Sequence, residues 1–480
     1  AYEKYNVILW KGKYATYGNT KKDKFNGTLI IHIPGEPENS GTLYDMNEKG
    51  QGTSSMLYWW WNGQWGFNED GYWVDENGAN RGKCYQLTND VPGALKLVGK
   101  VNFASSAQSH KIGSTALFND LFKAVCGGNS ITNTEGFENC RVAVLQKPFL
   151  FFVQEDENSE PQFKSFMTFG PGKGDKPTFG YDKTKFPDYV CLEGADNDRA
   201  LVMCRVPWID EDVTLEGEED WMYNGEKQMS LVFGDTNKIA PIKSGFNFVF
   251  KHYDNIDYFN GTIEDLNAAE NLDTSKHYWL TKAGRNNAQF DLFRYDFITS
   301  TWVGAGTEKI ENGRYSTVNI NEQCGNIASG TDWDAINSSF KTARIALFKA
   351  DAGKYFNLTE THFAMNFCKL IAASDNRGKN IYFYVDPKTH LIGWHQDDLD
   401  TIFPVNNVGQ REKPYYVEEH DKNNDGGFYW NSEGNALFNQ MENAFPDELR
   451  TNMRSILQAM LKLSDDGTLM GCMEKYYFYV

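Results

Sequence analysis

Apolar and polar positions alternate through the first hundred residues in short runs, punctuated by Asn26-Gly27, Asn62-Gly63, Asp70-Gly71 and Asn77-Gly78. Each pair fits a tight hairpin turn at positive φ, so this part is expected to be a β-meander. LKLVGKVNF (95–103) continues as a strand, and TALFNDLFKAV, shortly after it, has the spacing of a helix. Strand-like runs return between 141 and 210, KPFLFFVQ and CLEGADNDRALVMCRVPW among them. Beyond 330 the period changes. Trp333, Ile336, Phe340, Ala343 and Leu347 keep helical spacing, as do Phe363, Phe367, Leu370 and Ile371. A third helix is predicted from Pro446-Asp447 through Leu449, Met453, Ile456, Met460 and Leu463 to the Asp466-Gly467 stop. The terminal MEKYYFYV reads as an apolar strand needing a partner. The class is α+β, strands first and helices later, with no internal repeat. The expected units are a β-rich hairpin region (1–94), a second β-rich region with insertions (95–330) and a helical or mixed region (331–480).

The 480 residues suggest roughly three domains, and 40% hydrophobic with 15% aromatic residues is enough to fill their cores. The aromatic maximum is LYWWWNGQWGFNEDGYWVD (57–75). Its rings serve either as a stacking platform for sugars or, with three consecutive Trp unable to share one strand face, as the core of a meander. A net charge of -18, with no stripe of Lys and Arg, argues against tight sequence-specific nucleic-acid binding, although an acidic channel wall would let DNA slide. Cysteines at 84, 126, 140, 191, 204, 324, 368 and 472 form no C-x-x-C pair, which fits free thiols in a chain folded in a reducing cytoplasm. No apolar run is long enough for a membrane helix. Both ends look cut, as in a fragment of a longer polypeptide.

Candidate chemistry concentrates in ASDNRGKNIYFYVDPKTHLIGWHQDDLDT (373–401). Asp375 and Asn380 stand in D-x-x-x-x-N spacing. A predicted hairpin then returns the chain to Asp397, Asp398 and Asp400. Phosphoryl transfer needs a carboxylate at the acceptor hydroxyl, an amide and a carboxylate on magnesium, and a lysine on the phosphates. Asp375 has the place of the base, Asn380 and either Asp398 or Asp400 those of the metal ligands, and Lys96 or Lys100 that of the lysine. The bland alternative is a turn whose acids bond backbone groups and solvate a strand end. In HDKNNDGGFYWNSE (420–433), Asp421, Asn423 and Asp425 followed by Gly426 match the opening of a calcium loop, but its twelfth position is Ser432. Calcium or magnesium are thus the candidate ions. TFGPGKGDKPTFGYD (168–182) is Gly- and Lys-rich without a nucleotide fingerprint, and IDEDVTLEGEED (209–220) reads as an exposed acidic loop.

The order LKLVGKVNFASSAQSHK, KPFLFFVQ, the Gly/Lys loop, KNIYFYVDPKTHLIGWHQDDLDT and NNVGQ resembles the spore-coat CotH family of atypical kinases. VNFASSAQSHKIG, TFGPGKGDKPTFGYD, LEGADND and DDLDTIF…NNVG…VEEHD are more similar to muzzle-type tail proteins of gut crAss-like bacteriophages and related podoviruses, a likeness spanning residues 95–465. The resemblance implies a divergent kinase-shaped module whose catalytic Asp, amide and metal acids fall on Asp375, Asn380, Asp398 and Asp400. It implies no enzyme, but a virion structural protein folded in the host cytoplasm that forms or gates the DNA exit channel. Its partners would be copies of itself, other tail or portal-ring proteins and the host cell surface, with viral DNA passing unbound. The competing expectations are an active CotH-like ATP/Mg-dependent kinase and a carbohydrate-binding adhesin.

Overall fold

Strands dominate the first part of the chain because large rings alternate there with residues that tolerate water. The computed structural model describes residues 4–15, 23–51, 62–89, 93–101, 109–172, 179–181, 184–194, 229–242, 244–245, 256–259, 263–274, 277–280, 289–296, 299–311, 314–315, 345–346, 348–373, 376, 380–400, 402–403 and 436–478. Eight strands form one sheet: β1 (Val7–Lys11), β2 (Phe25–His32), β3 (Gly41–Gln51), β4 (Asn62–Asp75), β5 (Asn80–Gly82), β6 (Lys96–Lys100), β7 (Lys147–Gln154) and β8 (Gln162–Pro171). Their order is β3-β2-β1-β7-β8-β6-β4-β5, and a further pairing of β3 with β4 closes the sheet into a barrel. All pairings are antiparallel except the parallel contact of β1 with β7.

Trp10, Leu29, Ile31, Leu43, Met46, Trp65, Phe151, Met167 and Phe169 fill the barrel. Trp65 meets Phe151 and Phe169 edge-on. The predicted division at 94/95 is not a break, since β6, β7 and β8 complete the same sheet. Three of the four Gly-containing pairs also correct the expectation of turns. Asn26-Gly27 lies within β2, and Asn62-Gly63 and Asp70-Gly71 within β4; Asn77-Gly78 is a turn, with Gly78 at φ +85°. Two of these glycines make room for indoles. A Cβ on Gly27 would lie 2.7 Å from the Trp10 ring, and one on Gly63 2.6 Å from the Trp65 ring.

The second region is built on β9 (Val190–Gly194), β10 (Met229–Phe233), β16 (Ile381–Val385) and β17 (Ile392–Gln396), in the antiparallel order β10-β9-β16-β17. The predicted hairpin is thus present. Every residue of β16 and β17 is buried, because both faces are covered. One face carries Ile381, Phe383, Ile392 and Trp394 against α1 (Ser109–Cys126), α3 (Leu358–Ile371), α4 (Ala436–Ala444), α5 (Pro446–Leu463) and α6 (Leu469–Tyr477). The other packs Tyr382 and Tyr384 on Phe179, Tyr189, Cys191 and Phe233.

The helices begin where local chemistry lets them. Asn357 caps α3 by accepting from the Glu360 N–H, and Pro446 opens α5 ahead of Asp447 and Glu448. The helix predicted at 333–347 falls largely outside the described residues. As far as Tyr477 the chain's last apolar run is helix α6 rather than strand. Thr468 caps it, and Tyr476 and Tyr477 are buried in the same core as α1, so these rings find their partner within the chain.

β11 (Ile256–Phe259), β12 (His277–Leu280), β13 (Gln289–Asp296), β14 (Thr301–Glu311) and β15 (Arg314–Tyr315) form a further five-stranded sheet. Helix α2 (Ile263–Ala268) adds Leu266 to its core with Tyr278 and Trp302. Among the described residues no helix is long and apolar enough to cross a membrane, and no disulfide joins Cys84, Cys126, Cys140, Cys191, Cys368 or Cys472.

Candidate functional site: an acid pair held by two lysines

The end of β17 meets the barrel through charge. Asp397 and Asp398 leave the strand, and Asp398 takes the left-handed conformation (φ 56°) that a short polar side chain tolerates. Asn380, also left-handed at φ 56°, opens the same hairpin. The wholly buried Asn376 ties the two ends together. Its amide nitrogen lies 2.9 Å from the Asp397 carbonyl, 3.0 Å from Gln396 Oε1 and 3.3 Å from the Asn380 carbonyl. The Asp397 N–H donates to the Asn380 carbonyl at 3.2 Å. The sequence-predicted Asn380 and Asp398 are therefore brought to one place. Asp375 lies outside the described residues, as do Asp421, Asn423 and Asp425.

Two lysines converge on these acids. Lys100, the last residue of β6, pairs with Asp398 Oδ2. Lys111, in the first turn of α1, reaches Asp398 Oδ1 at 3.0 Å and Asp397 Oδ1 at 3.5 Å. Its side chain is only 2% exposed, so its charge is balanced by these acids rather than by water. Of the two lysines left open by the sequence, Lys100 meets the acids. Lys96 stands exposed at the far end of β6, where its carbonyl accepts from Gly172. The Lys100 backbone is held in turn: the Thr168 hydroxyl lies 3.2 Å from its carbonyl, and the Val101 N–H donates to Asn62 Oδ1 at 2.7 Å.

The electrostatics are those of a closed clamp. Burial alone would lower the Lys100 pKa, but Asp398, Asp397 and Asp400 outweigh it and hold the ammonium well above its usual range. Burial would raise Asp398, and Lys100 with Lys111 instead drive it far below the ordinary carboxylate range. Asp400 contributes its backbone, hydrogen-bonded to His110, whose pKa is lowered by burial against that bond. The His110 ring packs edge-on against Phe403.

Both oxygens of Asp398 thus carry a lysine ammonium, and a divalent cation there would meet two positive charges already in place. In this arrangement the donor set of Asn380, Asp398 and Asp400 does not fit calcium or magnesium. Among the described residues no cluster of His, Cys, Asp and Glu has metal-holding geometry.

Behind the hairpin lies a polar group that the sequence did not single out. Glu360, on α3, accepts from the Tyr384 hydroxyl at 2.8 Å, the Trp394 N–H at 3.2 Å and the Asn357 amide at 2.9 Å. His395 stacks between Tyr384 and Phe179, and burial pushes its pKa down to about 3, leaving it neutral. Lys111 was missed for a plain reason: although it lies in SSAQSHKIG, no spacing there marks it as an acid's partner, and only the tertiary fold gives it a counter-ion. No protein-family model matches the chain, and no curated protein matches it either.

Proposed function

We propose that the chain is a structural subunit of a bacteriophage tail, with a kinase-ordered set of acids serving as an internal clamp between the barrel and the helical half. The observation that carries this reading is the double engagement of Asp398 by Lys100 and Lys111. Phosphoryl transfer relies on charges aimed at a substrate. Here the charges are aimed at one another, across two parts of the fold. Residues 95–465 resemble muzzle-type tail proteins, and the net charge of -18 suits a wall past which DNA slides without sticking. In this role the protein assembles with copies of itself and with other tail proteins around the exit channel.

The test is sedimentation of DNA-filled particles followed by quantitative mass spectrometry. A fixed copy number per particle is expected, and a protein absent from particles contradicts the proposal. A second reading, an ATP-dependent kinase, is favoured by one observation: a strand lysine, Lys100, meets the acid after the hairpin. It requires both lysines to release Asp398. Phosphate transfer from labelled ATP with magnesium or manganese, lost on Asp398→Asn with folding intact, would establish that activity and remove the clamp as the explanation of these residues.

A further inference from the structure

The outer wall of the barrel holds a second arrangement, unrelated to the clamp. Tyr44 of β3 and Tyr72 of β4 are cross-strand partners whose rings stack 5.1 Å apart with planes 25° from parallel. Each is 39% exposed, although the neighbouring Leu43 and Trp73 are buried in the barrel. Just beyond this pair the ladder breaks. β3 supplies one residue, Asp45 at φ 48°, where β4 supplies four, Asn68 to Gly71.

The bulge brings Asn68 back over the outer face. Its amide nitrogen lies 2.8 Å from Asp45 Oδ1 and 3.4 Å from Asn26 Oδ1, while the Asn47 amide donates to Asn68 Oδ1 at 2.8 Å and to the Gly66 carbonyl at 3.0 Å. Asn26 and Asn47 are themselves paired across β2 and β3. Three adjacent strands thus present a rank of planar amide and carboxylate groups beside two exposed aromatic rings. The strands are fixed by the barrel, so these groups are positioned before any ligand arrives.

Each component has a counterpart in a sugar. A pyranose ring has an apolar C–H face, which stacks on an aromatic ring, and a rim of hydroxyls. Those hydroxyls donate to carboxylate and amide oxygens and accept from amide N–H groups. Asp45 has a second carboxylate oxygen and Asn26 an amide nitrogen beyond the bonds given above. Glu69 and Asp70, exposed on the same bulge, add negative charge and disfavour an anionic ligand. We propose that Tyr44, Tyr72, Asp45, Asn68 and Asn26 form a surface site for a neutral oligosaccharide. Of the sugar-platform expectation for residues 57–75, Trp65 and Trp73 are buried, Trp59, Trp60 and Trp61 lie outside the described residues, and Tyr72 is the ring this site takes up.

The test is native affinity electrophoresis of the full chain through gels containing a neutral glucan, mannan, galactan or xylan, with polygalacturonate as the anionic contrast. Retardation by at least one neutral polysaccharide and none by polygalacturonate is expected. Tyr44→Ala and Tyr72→Ala should each weaken it about tenfold, the order of one lost ring-stacking contact. Tyr44→Phe should retain binding, because the ring persists. Phe166→Ala, which removes an exposed ring elsewhere on the barrel, should also retain it. No retardation by any neutral polysaccharide overturns the proposal, as does retardation unchanged in both tyrosine-to-alanine variants.

Discussion

Glu48 in the barrel and Glu360 on α3 are both carboxyl groups withdrawn from water, yet they are held differently. Glu48 takes one hydrogen bond, from the Ala15 N–H at 3.0 Å, and its other oxygen has no partner among the described residues. The Trp65 indole N–H, on the residue opposite Glu48 across β3 and β4, is likewise unpartnered. Glu360 is surrounded by donors from three elements. Burial pushes Glu48 up to about 7 and Glu360 up to about 8, against the hydrogen bonds that favour their charged forms. The contrast separates two ways of specifying a fold. The barrel is fixed by indoles seated over glycines, with a polar group it scarcely uses. The helical half is fixed by polar groups that bind its sheet to its helices.

The largest effect expected from breaking that contrast is on the barrel side. Trp65→Ala empties the centre of a fully buried ring cluster and should cost about 3–5 kcal/mol in urea denaturation. Glu360→Ala should come next, at about 2–4 kcal/mol, because it leaves the Trp394 N–H without its acceptor and takes the acceptor from the Tyr384 O–H, whose oxygen still accepts from the Asn129 amide. Glu48→Gln should stay within about 1 kcal/mol, since the single Ala15 bond survives. If Glu360→Gln costs no more than Glu48→Gln, the distinction between the regions fails.

Titration sharpens the comparison. A carboxyl raised in the folded state contributes stability that is complete below its ordinary value of 4.5 and is lost as pH rises through its folded value. Buried His395 and His362, whose pKa values are lowered, act the other way up to the ordinary 6.5, so Tm should fall as pH rises from about 6.5 to about 8, and Glu360→Gln should remove most of that slope. Asp398 acts in the opposite sense. Its depressed pKa makes its contribution complete above the ordinary 3.8 and lost as pH falls below it. An acid limb that persists unchanged in Asp398→Asn would show that the clamp adds nothing to stability. A cap has a similarly small effect: Thr468→Ala, which loses the bond from the Gly471 N–H, should cost about 1 kcal/mol.

Much of the local structure was legible in the sequence. β6, β7, the β16–β17 hairpin, α1, α3 and α5 fall where period and capping residues place them. So does Lys100, as one of two rival lysines, together with the closeness of Asn380 and Asp398, which a short hairpin enforces. Barrel closure was not legible: β3–β4 is a neighbour pair of the predicted meander, but the parallel β1–β7 contact joins distant segments by a register that no local pattern encodes. The Asn-Gly pairs misled because Gly27 and Gly63 answer to ring packing rather than to turn geometry. Helix α6 misled because its aromatic residues favour strands, and the packing of Tyr476 and Tyr477 with α1 overrides that preference. Lys111 needed the fold itself.

A double-mutant cycle between Lys111 and Asp398 measures the clamp directly. Lys111→Met, Asp398→Asn and the double variant are compared by urea denaturation. The single changes should each be costly and the double far less so than their sum, giving a coupling of about 1.5 kcal/mol or more. Additivity within about 0.5 kcal/mol would contradict the clamp and leave the two lysines free for another role.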